Sequence, residues 1–340
     1  MTASVPAAAS SSASPGWMLC VAPMIDVTDR HCRRFHRELA PAARLYTEMV
    51  HAQAVLRGDR ARLLGHDPAE HPLALQLGGS APADLAAAAR VGADLGYDEI
   101  NLNVGCPSDR VQAGRFGACL MREPALVADC VAAMRAAVPA DVPVTVKCRL
   151  GVDEQDDYEV FRAFVDTVAA GGCTVFVVHA RNAWLKGLSP KENREIPPLR
   201  YDWAYRLKRE RPALTVVLNG GIARVEDVRA HLGHVDGVML GRVAWHEPYR
   251  LAGIQQALFG TEPPTREAVL RRLEPYLRAR AAHGDPVAAL VKPLLGLFHG
   301  ETGGRAFRRV LSENAHRSAD AAALVAMAVE ATRRHAAAGA

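Results

Sequence analysis

Three features that would assign a protein to a special class are missing from this chain of 340 residues. No apolar run reaches the roughly 18 residues that a membrane-spanning helix needs, so we expect no membrane contact. No C-x-x-C pair and no paired Cys/His spacing occurs, so we expect no metal site. The cysteines are odd in number and scattered, which predicts free thiols in a reducing cytoplasm; they are Cys20, Cys32, Cys106, Cys119, Cys130, Cys148 and Cys173.

The N-terminal segment lacks the marks of a signal peptide. Residues 1–16, MTASVPAAASSSASPG, are rich in alanine and serine and carry neither a basic start nor a long apolar stretch. A segment of this composition buries too little apolar surface to fold, so we predict a disordered tail.

What the chain does contain is one pattern repeated eight times. Short apolar runs alternate with segments of helical periodicity; the runs are MLCVAPM, RLYTEMV, LALQLGG, EINLN, VTVKCR, VFVVHAR, TVVLNGG and GVMLGR. Such runs are typical of buried parallel strands in βα units. Eight units in about 240 residues predict a (β/α)8 TIM barrel over residues 17–260. A doubly wound open sheet is the alternative, but the dinucleotide fingerprint G-x-G-x-x-G is absent.

The strand pattern stops near residue 261, and four helical segments follow. They predict a small α-helical domain over residues 261–340, packed on the side of the barrel. This segment holds 12 basic and 8 acidic residues, which accounts for the whole formal net charge of +4. Such an excess indicates an anionic partner, and a solvated helical surface explains it equally well.

Polar or special residues end most of the predicted strands. Because the active site of a TIM barrel lies at the carboxyl ends of its strands, we expect these side chains to converge on one small ligand. The strand-end residues are Pro23, Met24, Gln76, Asn103, Lys147, Arg149, His179, Asn219, Gly241 and Arg242.

The last two strands narrow the kind of ligand. Each is followed by a glycine turn and the start of a helix, in LNGGI (218–222) and MLGR (239–242). Backbone N–H groups in such turns bind phosphate, helped by the helix dipole and here by the Arg242 guanidinium. A phosphate site among hydrogen-bonding side chains suits FMN, and the pattern also suits a sugar phosphate or pyridoxal phosphate.

Four longer segments carry a resemblance to a known family. They are IDVTDRHCRRFHR (25–37), NVGCPSDRVQAGRFGACLM (103–121), TVKCRLGVD (145–153) and VHARNAWLKGLSPKENREIPPLRYDW (178–203). Together they closely resemble the tRNA-dihydrouridine synthases, specifically the A subfamily. The resemblance implies an enzyme that uses FMN and NADPH to reduce the C5–C6 double bond of uridines 20 and 20a in the D-loop of tRNA.

Carried over to matching positions, the resemblance implies a set of cofactor contacts. FMN would be held by Pro23, Met24, Ile25, Gln76, Lys147, His179, Asn219, Gly220, Gly221, Gly241 and Arg242. The ammonium of Lys147 is expected near flavin N1 and O2, where it would stabilise the anionic reduced flavin. The sequence departs from the family at Val27, where a tryptophan is common.

Cys106, between Gly105 and Pro107, matches the proton donor of the family. Hydride transfer to C6 of uracil leaves an enolate-like carbon at C5 that needs a proton. A cysteine thiol is mostly protonated at neutral pH, so it can act as a general acid without elaborate tuning. The flanking glycine and proline would hold the loop so that the thiol is aimed at the base.

The resemblance also implies contacts with tRNA, for a chain that we take as a monomer. The target uridine is expected to flip out of its folded loop into the pocket. Segment 184–200 is long for a βα connection, and long ordered loops are often functional. The predicted tRNA contacts are Asn103, the pair Lys191 and Arg194 in this segment, and the pair Arg305 and Arg308, which share one helix face.

Two other functions stay open at this point. The first is an FMN barrel that reduces a free small molecule, such as a dihydroorotate dehydrogenase, which can also use a cysteine. The basic excess and the long 184–200 segment would be superfluous for such a substrate. The second is a tRNA-binding protein that helps tRNA to fold; the joint presence of Cys106, Lys147 and His179 argues against lost chemistry.

Overall fold

A closed barrel of parallel strands forms the centre of the computed structural model, which describes residues 15–338. The strands are β1 (Leu19–Val21), β2 (Arg44–Tyr46), β3 (Val50–His51), β4 (Leu73–Gly78), β5 (Glu99–Val104), β6 (Val144–Cys148), β7 (Val175–His179), β8 (Thr215–Asn219) and β9 (Gly237–Leu240). They pair in the order β2-β1-β9-β8-β7-β6-β5-β4-β3, and a β2–β4 pairing closes the barrel. The predicted (β/α)8 TIM barrel is confirmed.

One predicted strand is interrupted. The run RLYTEMV was expected to form a single strand over residues 44–50, but β2 ends at Tyr46 and the two-residue β3 begins at Val50. The Thr47 hydroxyl donates to the Glu48 carbonyl at 2.7 Å, and the Glu48 carboxylate accepts from the Asp26 amide at 2.5 Å. The first bond occupies the Glu48 carbonyl, a backbone group that a continuous strand would offer to its neighbour, and the second joins Glu48 to the loop after β1.

Helices cover the outside of the barrel. They are α1 (Arg30–Leu39), α2 (Ala52–Arg57), α3 (Arg60–Leu64), α4 (Pro82–Asp94), α5 (Asp109–Ala113), α6 (Pro124–Ala137), α7 (Tyr158–Ala170), α8 (Tyr201–Glu210), α9 (Val225–Leu232), α10 (Arg242–His246) and α11 (Arg250–Phe259). Side-chain caps start several of them; Asp29, for example, accepts from the Cys32 amide at 2.8 Å. Short 3₁₀ turns span Pro15–Trp17, Pro68–Glu70, Gly117–Arg122, Glu192–Arg194 and Lys292–Gly296.

The C-terminal region is helical, as predicted. It contains α12 (Arg266–Ala282), α13 (Val287–Val291), α14 (Gly304–Asn314) and α15 (Ala321–Ala338). Helix α12 lies against α1, where the Tyr276 hydroxyl is 2.8 Å from Nδ1 of His31. Gly260 ends α11 with a left-handed backbone, φ 70°. The predicted domain boundary at this residue stays a prediction.

Three further sequence expectations concern the N-terminal tail, membrane-spanning helices and the cysteines. Residues 1–14, most of the predicted tail, lie outside them, while residues 15 and 16 belong to a 3₁₀ turn whose Gly16 carbonyl accepts from Arg44 at 2.8 Å. Within residues 15–338, no helix is both long and apolar enough to cross a bilayer. The seven cysteines are free thiols in the structure.

The inside of the barrel is divided into an apolar and a polar side. A cluster of buried side chains from most strands fills one side; it comprises Cys20, Ala22, Tyr46, Ala74, Val175, Val177, Val217 and Met239. On β5, the alternating residues Glu99, Asn101 and Asn103 face inward, because Ile100, Leu102 and Val104 pack in the layer between strands and helices. A polar strip therefore runs through the barrel beneath the carboxyl ends of the strands.

Candidate active site

Predicted site residues from β6, β7 and β8 meet at the carboxyl end of the barrel. The Lys147 ammonium donates to Oδ1 of Asn219 at 3.1 Å, and Nδ2 of Asn219 donates to the Met239 carbonyl at 2.8 Å. His179 ends β7 directly beside Asn219 in the strand register. Together with the Met239 carbonyl of β9, four strands thus contribute to one face, as the alternation of strands and helices predicts.

Cys106 lies on a short loop directly after β5. Oδ1 of Asn103 accepts from the Gly105 amide at 3.2 Å and from the Cys106 amide at 3.0 Å. The Cys106 carbonyl accepts from the Ala118 amide at 2.9 Å. Cys106 is partly exposed, and its sulfur lies 3.5 Å from the hydroxyl oxygen of Ser108. The backbone of the loop is therefore held on two sides at a residue that is not fully buried.

The loop crosses the end of β6. A Cβ atom on Gly105 would lie 3.5 Å from the Lys147 carbonyl oxygen, so the backbone passes in contact with the strand. Arg149, the residue after β6, donates to the Gly105 carbonyl at 3.2 Å. Cys106 and Lys147 consequently belong to the same small site.

Positive charge is concentrated at this site. Burial, and after it the charge of Arg149, lowers the pKa of Lys147 to about 8. Burial also lowers the pKa of Arg149 to about 10. The pKa of His179 lies well below its ordinary value, first because of burial and then because of Arg149 and the cations around it. His179 is therefore neutral at pH 7, and the buried cations favour an anionic ligand.

Glycine turns after β8 leave the backbone close to His179. Gly220 and Gly221 have φ values of 118° and 72°, which side chains rarely adopt. A Cβ on Gly220 would lie 2.9 Å from Cδ2 of His179, and one on Gly221 would lie 2.6 Å from the Tyr201 hydroxyl oxygen. A Cβ on Gly241, after β9, would meet no atom within 4 Å, so this turn opens to solvent. Arg242 beside it pairs with Glu195.

The remaining predicted cofactor residues differ in exposure. Pro23 and Met24 are partly buried, and Met24 packs against the apolar side of the barrel interior. Ile25 is 53% exposed. Gln76 is buried, and its side-chain amide bonds two asparagines. It donates to Asn101 at 2.8 Å and accepts from Asn103 at 2.9 Å.

The 184–200 segment is an ordered loop built around Asn193. The buried Asn193 side chain bonds both the amide and the carbonyl of Trp184, at 2.7 and 2.9 Å. Two further side chains join this loop to the Cys106 loop. Arg149 donates to the Asn193 carbonyl at 2.9 Å, and Nε2 of Gln112 donates to the carbonyls of Pro107 and Leu185, both at 2.7 Å.

The predicted tRNA residues occupy three places. Lys191 and Arg194 are exposed on the 184–200 loop, and Arg305 and Arg308 are exposed on α14. Asn103 is only 8% exposed, because its side chain holds the Cys106 loop. Its contact with RNA stays a prediction, as do the contacts of the two basic pairs.

The C-terminal helical region reaches the site through one lysine. Lys292 donates to the Asp26 carbonyl at 2.7 Å, in the loop that follows β1. Arg308 donates to the Leu295 carbonyl at 3.4 Å, within the same 3₁₀ turn as Lys292. Helix α14 is thus connected to the loop that contains Pro23 and Met24.

Several residues of this arrangement are not among the site residues that the sequence predicts. Gln112 joins the two loops, and Glu99, Asn101 and Thr145 form the polar strip below Gln76. The alternation of Glu99, Asn101 and Asn103 with three apolar residues is a visible signal for polar groups inside a barrel strand. Gln112 carries no such signal, because its two partners lie in separate loops.

The chain matches one protein family over most of its length and is similar to individual relatives. The family described as dihydrouridine synthase (Dus) matches residues 20–333. A tRNA-dihydrouridine(20/20a) synthase of Xanthomonas axonopodis pv. citri is 66% identical over 314 residues, covering 92% of this chain and 93% of the relative. The enzyme of that name in Vibrio cholerae is 55% identical over 302 residues, covering 88% of this chain and 91% of the relative.

Solved structures with a similar fold are much more distant in sequence. Morphinone reductase superposes with a TM-score of 0.50 at 13% identity, covering 73% of this chain and 87% of that protein. A 2-naphthoyl-CoA reductase gives a TM-score of 0.53 at 11% identity, covering 74% of this chain and 51% of that protein. At such identities the likeness concerns the barrel fold. The family match and the relatives more than half identical carry the assignment: the chain belongs to the dihydrouridine synthase family, as its motifs predicted.

Proposed function

We propose that this protein is an FMN-dependent enzyme that reduces the C5–C6 double bond of uridines 20 and 20a in the D-loop of tRNA, with NADPH as the electron source. Family membership and the names of the relatives support the substrate. The observation that carries the chemistry is the partly exposed Cys106 thiol on a loop tethered beside Lys147 and Arg149.

The residues at the barrel mouth fit a phosphate-bearing flavin. Half-buried Lys147 and buried Arg149 bond amide and carbonyl oxygens, so their charges are free to act on an anion. The turn at Gly241 leaves open space beside Arg242, where a phosphate group can lie against backbone amides. Lys147 and Asn219 would bind the polar edge of the ring system, and His179 would donate as a neutral imidazole.

Bound FMN supplies the hydride that C6 of uracil accepts. The substrate then carries negative charge on C5 and O4, and Cys106 gives its thiol proton to C5. The resulting thiolate regains a proton from water, so each turnover consumes one hydride and one proton. Lys147 and Arg149 stabilise that thiolate while it lasts, because their positive charges lie at the same loop.

The protein must also hold a macromolecule whose target base is normally stacked. The exposed pairs Lys191 with Arg194, and Arg305 with Arg308, would contact tRNA phosphates. The two loop-joining side chains, Arg149 and Gln112, would let tRNA contact at the 184–200 loop bear directly on the Cys106 loop. The flipped uridine would then reach a thiol whose loop is already ordered.

A single-turnover experiment tests this function. The purified protein is reduced anaerobically with NADPH and mixed with tRNA that lacks modifications, while flavin absorbance reports reoxidation and dihydrouridine is mapped on the RNA. We expect reoxidation on tRNA and product at positions 20 and 20a. Cys106→Ala should slow reoxidation by about 10²-fold or more, because it removes the general acid, while reduction by NADPH remains.

Cys119→Ala is the matched control, since Cys119 is the other cysteine that is not fully buried. It should behave as the wild type. A flavoprotein that ignores tRNA and reoxidises on a free pyrimidine would contradict the substrate. A protein that binds tRNA and contains no flavin would contradict the chemistry.

A further inference from the structure

A row of buried polar side chains connects the floor of the barrel to the Cys106 loop. Asn103 donates to Gln76 at 2.9 Å, Gln76 to Asn101 at 2.8 Å, and Asn101 to Thr145 at 2.7 Å. Thr145 donates to the carboxylate of Glu99 at 2.5 Å. These five side chains, which we call the interior chain, come from the neighbouring strands β4, β5 and β6, and all are buried.

The lower end of the interior chain can only accept hydrogen bonds. Glu99 is completely buried, and its Oε2 faces two groups that only donate, the Trp17 indole at 2.8 Å and the Arg44 guanidinium at 3.3 Å. Its Oε1 also accepts from the Tyr46 hydroxyl at 2.8 Å. With Arg44 paired to this carboxylate, the hydroxyl of Thr145 donates downward to Oε1 of Glu99.

The upper end can only donate. Oδ1 of Asn103 accepts from the backbone amides of Gly105 and Cys106, and an amide N–H has no acceptor capacity. Between these two ends, Asn101, Gln76 and Asn103 each have one orientation in which oxygen meets a donor and nitrogen meets an acceptor. Every bond from the Cys106 loop to Glu99 therefore points the same way.

Because all of its hydrogen bonds point the same way, the interior chain affects the loop by polarisation. Hydrogen bonds in series polarise one another, most of all where the series ends on a charge in a buried environment. The Glu99 carboxylate thereby makes Oδ1 of Asn103 a better acceptor for the two loop amides. It also prevents an amide flip, which would turn Nδ2 of Asn103 toward two N–H groups and release the loop.

We propose that Glu99, Thr145 and Asn101 are positioning residues that hold the Cys106 loop through Gln76 and Asn103. This inference rests on the proposed function only in the role of Cys106 as proton donor. Glu99 lies at the amino end of β5, on the opposite side of the barrel from the chemistry, and acts through the residues between them.

The test uses the full chain and two properties that need no turnover. Thr145→Val replaces the linking hydroxyl by a methyl group of similar size. Hydrogen exchange resolved to the Gly105 and Cys106 amides should accelerate by about tenfold, the effect of losing one buried hydrogen bond. The rate of Cys106 alkylation by iodoacetamide, located by peptide mass, should change with it. Thr145→Ser keeps the hydroxyl and should restore both values.

Tyr46→Phe provides the matched control. It removes another buried hydroxyl from the same Glu99 oxygen, but that hydroxyl leads to no residue of the loop. Loop exchange and alkylation should stay at wild-type values in this variant. Thr145→Ala removes the same hydroxyl and leaves a smaller side chain. It replaces Thr145→Val in the test if the valine variant does not fold.

Three results would overturn the inference. The first is unchanged loop exchange in Thr145→Val and in Thr145→Ala. The second is equal acceleration in Tyr46→Phe, which would mean general loosening of the barrel. The third is failure of Thr145→Ser to rescue. Because exchange and alkylation are measured without tRNA or NADPH, a wrong assignment of the reaction would leave these results intact and would appear only in the turnover assay.

Discussion

At the scale of single residues, charged groups removed from water at the site destabilise the folded state. Lys147 is an ammonium whose hydrogen-bond partner is the neutral amide of Asn219, and burial lowers its pKa to about 8. A charge taken out of water without a counter-ion destabilises the folded state. Proteins retain such groups where a ligand or a reaction needs them, so Lys147 indicates an anionic ligand more strongly than its position on a strand does.

Lys147 should therefore make stability depend on pH in the flavin-free protein. Below pH 8 the ammonium is charged in both states, so the full cost of burial is present. Between pH 8 and about pH 10 the folded protein loses this proton while the unfolded chain keeps it, and the cost falls. Lys147→Met should raise the free energy of unfolding by about 3 kcal/mol or less at pH 7, with little gain at pH 10.5.

Denaturant unfolding at both pH values measures this difference. Lys186→Met is the control, because Lys186 is exposed and stays hydrated in the folded state. An equal gain at pH 7 and pH 10.5 for the Lys147 variant would contradict the assigned cause.

At the scale of elements, the 184–200 loop links two predicted sites. Glu195 in this loop pairs with Arg242, the predicted phosphate ligand, while Arg149 and Gln112 tie the same loop to the Cys106 loop. In the flavin-free protein a phosphate must compete with the Glu195 carboxylate for the Arg242 guanidinium. We therefore expect cofactor binding and the position of the 184–200 loop to be coupled through the Arg242–Glu195 pair.

Glu195→Gln should strengthen FMN binding, because the competing charge is removed. Both partners are about half exposed, so the pair contributes at most about 1 kcal/mol, and affinity should rise up to about fivefold. Titration of the flavin-free protein with FMN, followed by quenching of flavin fluorescence, measures it. Glu192→Gln on the same loop, whose carboxylate accepts from Ser189, is the control. Weaker FMN binding in Glu195→Gln would show that the carboxylate supports the site.

At the scale of the whole molecule, the exposed basic pairs lie on two separate parts of the chain. Lys191 and Arg194 belong to a barrel loop, and Arg305 and Arg308 belong to the C-terminal helical region. Helix α14 touches the 3₁₀ turn whose Lys292 reaches the loop after β1. We expect a large anion such as tRNA to contact both parts.

Charge reversal should separate tRNA binding from flavin reduction. Arg305→Glu or Lys191→Glu should weaken tRNA binding and flatten the slope of log K against log salt by roughly 0.7 to 0.9 per lost phosphate contact. NADPH oxidation should be unchanged, since neither residue is among the predicted FMN contacts. Arg90→Glu, an equal charge change on the exposed face of α4, is the control. An unchanged salt slope would contradict the proposed contacts.

The sequence by itself determined the barrel, the helical C-terminal region and the family. Apolar runs that alternate with helical periodicity specify βα units, since period and burial follow directly from residue order. Strand-end positions also brought Lys147, His179 and Asn219 to one face without knowledge of any contact. A long local motif such as NVGCPSDRVQ is readable because its residues act together on one loop.

Only the tertiary structure decided which polar groups bond one another. Asn103, predicted to contact tRNA, accepts a hydrogen bond from the Cys106 amide. Gln76, predicted to contact flavin, is hydrogen-bonded to two asparagines. Partners in the interior chain lie 25 to 46 residues apart, in strands that meet only when the sheet forms. Hydrogen-bond direction depends on which donors and acceptors face each other at close range, and residue order alone does not contain that information.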